Sequence, residues 1–188
     1  GVARTVQRGI EAASGDYILL ASADERLLPN ACALLCAAAD RWPAAKLIVS
    51  QYAEWYPETD VVHVHDRDSE HGMWYVEQAE GRFITADGLV DLLQERFVWL
   101  AANTALIDRK ALLEVGGFDE KLRWHSDWFA LYAIAFRYGF YAIPHSLAWF
   151  RVSTHSYSGR GMRDGKAQRQ VALDIQRKLR TAEFRDVD

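Results

Sequence analysis

The chain has 188 residues, 50% of them hydrophobic and 12% aromatic, which suits one domain with a substantial core and excludes a disordered tether. A formal net charge of -4 gives no sign of the clustered basic face that duplex nucleic acid requires, so no nucleic-acid partner is expected. Two cysteines, Cys32 and Cys36, are too few for a disulfide framework, and no apolar run reaches the roughly 20 residues that cross a bilayer. A soluble chain in a reducing compartment is expected.

Val2, Val6, Ile10 and Ala13 recur at helical spacing and stop at Ser14-Gly15, so the chain is expected to open inside a fold. Residues 17–21 form a strand too apolar to alternate, expected to be covered on both faces as in α/β proteins. Pro29 is expected to open the next helix, which turns Ala31, Leu34, Leu35 and Ala38 inward, buries both cysteines as small side chains, and ends near Trp42-Pro43. Residues 47–51 form a second strand. Residues 53–83 break into alternating and polar pieces, an insertion or hairpin over the sheet edge.

Thr85 precedes an acidic first turn and caps a helix over 86–96. Residues 103–107 suggest a strand, followed by a short helix that Gly116-Gly117 stops. A long apolar helix over 128–138 ends at Gly139, and strands follow over 140–143 and 147–150. In the last segment Ala167, Val171, Ile175 and Leu179 form one stripe among basic residues. That amphipathic helix is expected to pack on the domain or a partner, with peripheral contact to an anionic membrane as the alternative.

The acidic pair Asp24 and Glu25 directly follows the first strand. Hard divalent cations take oxygen ligands, and a cation held by one or two carboxylates leaves positions for water and substrate phosphates, which points to a nucleotide diphosphate ligand. The alternative is a polar turn, where such residues are common. His63 and His65 share a strand face and with Asp66 resemble a metal triplet, but two histidines on a hairpin are ordinarily polar surface. The aromatic pairs Trp55-Tyr56 and Trp74-Tyr75 are more commonly core than sugar platforms.

Three segments together resemble the inverting GT-A glycosyltransferases of family 2. Residues 9–25, from Gly9 through Tyr17-Ile-Leu-Leu to Ser22-Ala-Asp-Glu25, are similar to that family's helix, strand and DXD loop. Residues 105–122, with Gly116-Gly-Phe-Asp119, are similar to its strand, short helix and Gly-Gly-Phe-Asp segment. Residues 126–151, from Ser126-Asp-Trp128 to Phe150-Arg151, resemble its acidic catalytic motif, helix and Tyr/Phe-Arg strand end.

The resemblance implies a three-layer α/β/α GT-A fold with a mixed sheet, its domain over residues 1–160 followed by the amphipathic helix of 161–188. It also implies about ninety preceding residues carrying the strands that hold the nucleotide base, which this sequence lacks. The expected activity moves a sugar from a nucleotide-diphosphate sugar to a saccharide or glycolipid acceptor hydroxyl with inversion, in the cytoplasm or at the inner face of the membrane. The resemblance implies Asp127 as general base and Asp24 with Glu25 at a Mn2+ or Mg2+ ion; beside these, Trp124 and Trp128 around Asp127 are expected to face the acceptor, Arg151 and Arg160 the donor diphosphate, and His155 the metal. Bland readings stand beside these: Asp127 as a helix-start acid, Arg151 as structural, His155 as surface. Ser22 and Ser126 depart from the family's acidic positions and favour an alternative, a non-catalytic carbohydrate- or partner-binding domain on the same scaffold.

Overall fold

A computed structural model describes residues 1–77, 79–153 and 156–185. In chain order, α1 (Val2–Ala12) leads to β1 (Tyr17–Leu19), β2 (Arg26–Leu27), α2 (Ala31–Arg41), β3 (Leu47–Gln51), β4 (Ala53–Tyr56) and β5 (Val61–Val64). Then come β6 (Arg82–Ile84), α3 (Ala86–Glu95), β7 (Ala105–Asp108), α4 (Arg109–Glu114), α5 (Ser126–Tyr138), β8 (Phe140–Ser146), β9 (Ala148–Arg151), α6 (Tyr157–Arg163) and α7 (Gly165–Leu179).

The strands form two mixed sheets. The larger has the order β1-β7-β3-β8-β6, with β3 and β8 parallel at its centre and the other pairs antiparallel. Alternation along its strands divides the core. Leu47, Val49, Ala105, Ile107, Phe140 and Ala142 point into the main cluster with α1, α3, α4 and α5, whereas Ile48, Leu106, Tyr141 and Ile143 point to α2. Helices thus cover both faces of a mixed sheet, a three-layer α/β architecture. The smaller sheet has the order β2-β9-β4-β5. The chain passes from the larger sheet to the smaller at three places, residues 20–25, Tyr52 and Leu147, and returns through α2 and through the segment between β5 and β6.

Local signals explain most boundaries. Thr85 Oγ1 accepts from Gly88 N at 3.0 Å at the start of α3. Gly116, Gly117 and Gly139 take positive φ after α4 and α5, where a side chain would be strained. Residues 53–64 form the β4–β5 hairpin, closed by Trp55 Nε1 donating to Asp60 Oδ1 at 3.0 Å.

Several expectations are corrected. β1 is an edge strand paired only with β7, so just Ile18 is buried while Tyr17 and Leu19 stay half-exposed. Helix α2 begins at Ala31, two residues beyond Pro29, and its inward stripe is Ala31, Leu35, Ala38 and Ala39. Leu34 and both cysteines face outward. Residues 102–104 are a 3-10 turn rather than strand.

Helix α6 was not anticipated, and it runs across residue 160. The α7 stripe packs as its spacing predicts: Val171 is fully buried, and Ile175 and Leu179 lie against the main core. Lys178 bridges Asp119 at 3.0 Å, and Phe184 packs edge-on to Phe129 beyond the helix end. Among the described residues no helix is long and apolar enough to cross a membrane.

Candidate active site

The acidic pair lies where the chain leaves β1 of the larger sheet and enters β2 of the smaller one. A turn closed by Glu25 N donating to Ser22 O at 3.2 Å leaves Asp24 exposed and turns Glu25 inward. Burial pushes the Glu25 carboxyl up to about 7, helped by the charges of Asp24 and Asp127 and opposed by the Ser22 and Asn103 side chains. Its Oε2 is buried with no hydrogen-bond partner, and so is Asn103 Nδ2 on the 3-10 turn before β7. The Glu25 carboxyl and the Asn103 amide are thus withdrawn from water beside one another.

Asp127 occupies the first turn of α5, whose remaining length is almost wholly buried from Phe129 to Ala135. Burial raises its carboxyl above the ordinary range, against the backbone N–H groups of Trp128 and Asp127 itself and the nearby His125. The N–H groups show that Asp127 does serve the helix start. The elevated proton affinity and the interaction with Glu25 are additional to that role. Ser126 beside it is buried with an unpartnered hydroxyl.

The approach to α5 is held from the C-terminal side. Gln168 of α7 accepts from Trp124 Nε1 at 2.8 Å and donates to His125 Nε2 at 2.9 Å, so one amide orients both side chains that precede the acid. Arg123, immediately upstream, has φ 49 and ψ -117, a conformation that favours glycine. That kink lies within the 3-10 segment Glu120–His125, which leads directly into α5 at Ser126.

The remaining expected residues divide. Arg151 ends β9 and its Nε is buried without a partner, so its guanidinium is not consumed by the fold through that atom. Arg160 is exposed on α6. Trp124 packs against α6, where a side chain at Gly161 would collide with the indole, and meets Tyr157 edge-on. Trp128 stacks on Phe97 at 6.3 Å and lies 4.7 Å from Tyr132. Both tryptophans are thus half-buried in aromatic packing. His155 lies outside the described residues.

Asn103 and Gln168 were missed: neither belongs to a periodic or charged pattern, and only the fold brings them to Glu25 and His125. The hairpin histidines differ from ordinary surface polarity. His65 is largely buried and, with Glu54 and His71, forms a group whose ligand atoms all lie within 4.8 Å of one another. Asp66 is exposed outside that group. Burial, then His71 and His63, hold the His65 imidazole below its ordinary value, with Glu54 opposing. Tyr52 lies between the two polar regions: burial raises its hydroxyl, and the charges of Glu54 and Glu25 raise it further.

Residues 1–165 match the family model described as Glycosyltransferase like family 2. No curated protein matches the chain.

Proposed function

The chain belongs to the family 2 glycosyltransferases and so to an activity of glycosyl transfer, and from that premise we propose an inverting, metal-assisted transfer with Asp127 as the base. The observation that carries this reading is the half-buried Asp127 carboxyl at the start of α5, close enough to the acidic turn for its charge to act on Glu25. A nucleotide-diphosphate sugar is the donor and a saccharide or glycolipid hydroxyl the acceptor. The reaction belongs in the cytoplasm, at the inner membrane face when the acceptor is a glycolipid.

In a single displacement the acceptor oxygen attacks the anomeric carbon as the bond to the diphosphate breaks, with positive charge growing on the ring. The attacking hydroxyl must lose its proton, which the ionised Asp127 accepts. Burial strengthens that carboxylate as a base by raising its proton affinity above that of an ordinary carboxylate. Arg151, with its unpartnered Nε, and Arg160 supply positive charge for the departing diphosphate.

The donors at the acidic turn suit Mn2+ or Mg2+: Asp24 is exposed to ligand and Glu25 carries an orphaned carboxylate oxygen. With His155, these residues would hold the ion, which when bound neutralises charge on the leaving diphosphate. Trp124 and Trp128 flank Asp127 in sequence and offer aromatic edges to an acceptor ring.

The test is nucleotide release and sugar transfer across a panel of nucleotide-diphosphate sugars and saccharide acceptors, with Mn2+ present, for wild type and Asp127→Asn. Transfer with inverted anomeric configuration, lost in Asp127→Asn, is expected. Equal transfer by both proteins removes Asp127 as the base, and carbohydrate binding without any transfer favours the binding-domain reading.

A further inference from the structure

The most unusual polar grouping outside the acidic turn lies on the smaller sheet. Glu54 is on β4, His65 directly follows β5 and His71 is on the loop beyond, so the fold joins residues from three separate segments. His65 Nε2 stands 3.7 Å from Glu54 Oε2, too far for a hydrogen bond. The side chain of His65 is only 10% exposed, and both its Nε2 and His71 Nδ1 are buried without a hydrogen-bond partner. A buried imidazole nitrogen left unsatisfied is costly, and two of them converging on one carboxylate need a common explanation.

We propose that Glu54, His65 and His71 form a binding site for a zinc-class divalent ion. Two imidazoles and one carboxylate are a donor set suited to zinc and unlike the all-oxygen set of Mn2+ or Mg2+. Donor atoms around a tetrahedral zinc at its usual bond lengths lie roughly 3.3–3.5 Å apart, so the 3.7 Å between His65 and Glu54 needs a slight contraction and the group as a whole, spread within 4.8 Å, a larger one. The support around the ligands is already built. Tyr56 Oη donates to Glu54 Oε2 at 2.9 Å and orients the carboxylate, the outer-shell bond that metal ligands ordinarily carry.

The loop that carries His71 is equally well held. Gln51 Nε2 donates to His65 O at 2.7 Å, Arg67 donates to Trp74 O at 2.9 and 2.8 Å, and Arg96 ties down Asp68 O and Ser69 O. At Gly72 any Cβ would collide with the Asp66 and Arg67 carbonyls, so the chain can turn there only with glycine. The ion would fasten this loop to the β4–β5 hairpin. Tyr52 lies against His65 at 5.3 Å and His71 at 5.4 Å, and the charges of both Glu54 and Glu25 act on its hydroxyl. Three protein ligands leave one tetrahedral position open.

Tag-free protein is stripped with chelator and titrated with Zn2+ against a chromogenic competitor, and with Co2+ in the visible. The expected results are a single tight equivalent of Zn2+ and the intense Co2+ absorption of a four- or five-coordinate site. Since losing even an outer-shell partner weakens metal binding about 10–100-fold, His71→Ala should weaken it by about 100-fold or more, with Asp24→Asn unchanged. Absence of the Co2+ band with no stoichiometric zinc in wild type overturns the proposal, as does a His71→Ala variant that binds like wild type. Loss of binding in Asp24→Asn alone would assign the ion to the acidic turn instead. Should His71→Ala not fold, Glu54→Gln, which keeps the shape of the side chain, carries the same comparison. Sugar transfer is not measured, so the outcome is independent of the catalytic assignment.

Discussion

The middle of the larger sheet and the rim where its strands cross to the smaller sheet are built on different terms. In the middle, β3 is buried along its whole length and its apolar residues alternate between two complete hydrophobic clusters. At the rim, Glu25, Gln51, Asn103, Ser126 and Arg151 each bury a polar atom that no partner satisfies. Helix α5 spans the contrast within one element: Ser126 and Asp127 at its start belong to the rim, and Leu131 and Ile134 are fully buried in the core. Ser50 Oγ on β3 and Tyr75 Oη in the main core are unsatisfied as well, so the contrast between the two regions is one of degree. Natural proteins break local rules of satisfaction at functional sites while obeying them elsewhere.

The strongest way to break this comparison is to mutate the start and the middle of α5. Asp127→Asn should reduce transfer by about 10²–10⁴-fold with little change in melting temperature, because only the proton acceptor is lost. Leu131→Ala should do the reverse, costing about 2–5 kcal/mol of unfolding free energy in a denaturant titration while the enzyme that remains folded keeps its turnover. A variant at Asp127 that unfolds the chain would return that residue to a structural role.

The next effect is on pH. Glu25 binds its proton more tightly folded, at about 7, than at the ordinary carboxylate value of 4.5. Between those values the folded chain keeps a proton that the unfolded chain has released, so stability falls as pH rises through the window. In chelator, wild type should lose roughly 2 kcal/mol between pH 4.5 and pH 8 from this group, after allowance for its partial exposure. Glu25→Gln should remove that component, as urea melts at both pH values would show. Raised affinity at Asp127 also predicts that the acid limb of transfer lies above the ordinary carboxylate range, since only the ionised base accepts the proton.

Smaller effects sharpen the boundary between the regions. Gln168→Ala frees Trp124 and His125 from their shared amide and should cost about 1 kcal/mol of stability, together with a larger loss in kcat/KM than in binding of donor. Equal catalysis with the same stability loss would make Gln168 purely structural. At Arg123, glycine should be tolerated better than alanine by about 1 kcal/mol in thermal melts, because the backbone there favours a residue without Cβ.

Local patterns in the sequence were sufficient for elements governed by neighbouring residues. Strand β3 matches its apolar run, Thr85 caps α3, glycines end α4 and α5, and the α7 stripe of Val171, Ile175 and Leu179 meets the core. The acidic turn after β1 was legible for the same reason, since a strand running into adjacent carboxylates is a short-range pattern. What tertiary structure decided is how each pattern was used. Pairing on one side only left β1 half-exposed, and the packing of α2 on its sheet buried Ala39 rather than Leu34 and left both cysteines outward. Asn103 reaches Glu25, Gln168 reaches His125, and Glu54 and His71 join His65 only because chain crossings and loops bring distant segments together. Periodicity records which face of an element is apolar, but the partner that a polar side chain meets depends on long-range packing and is not written in its neighbours.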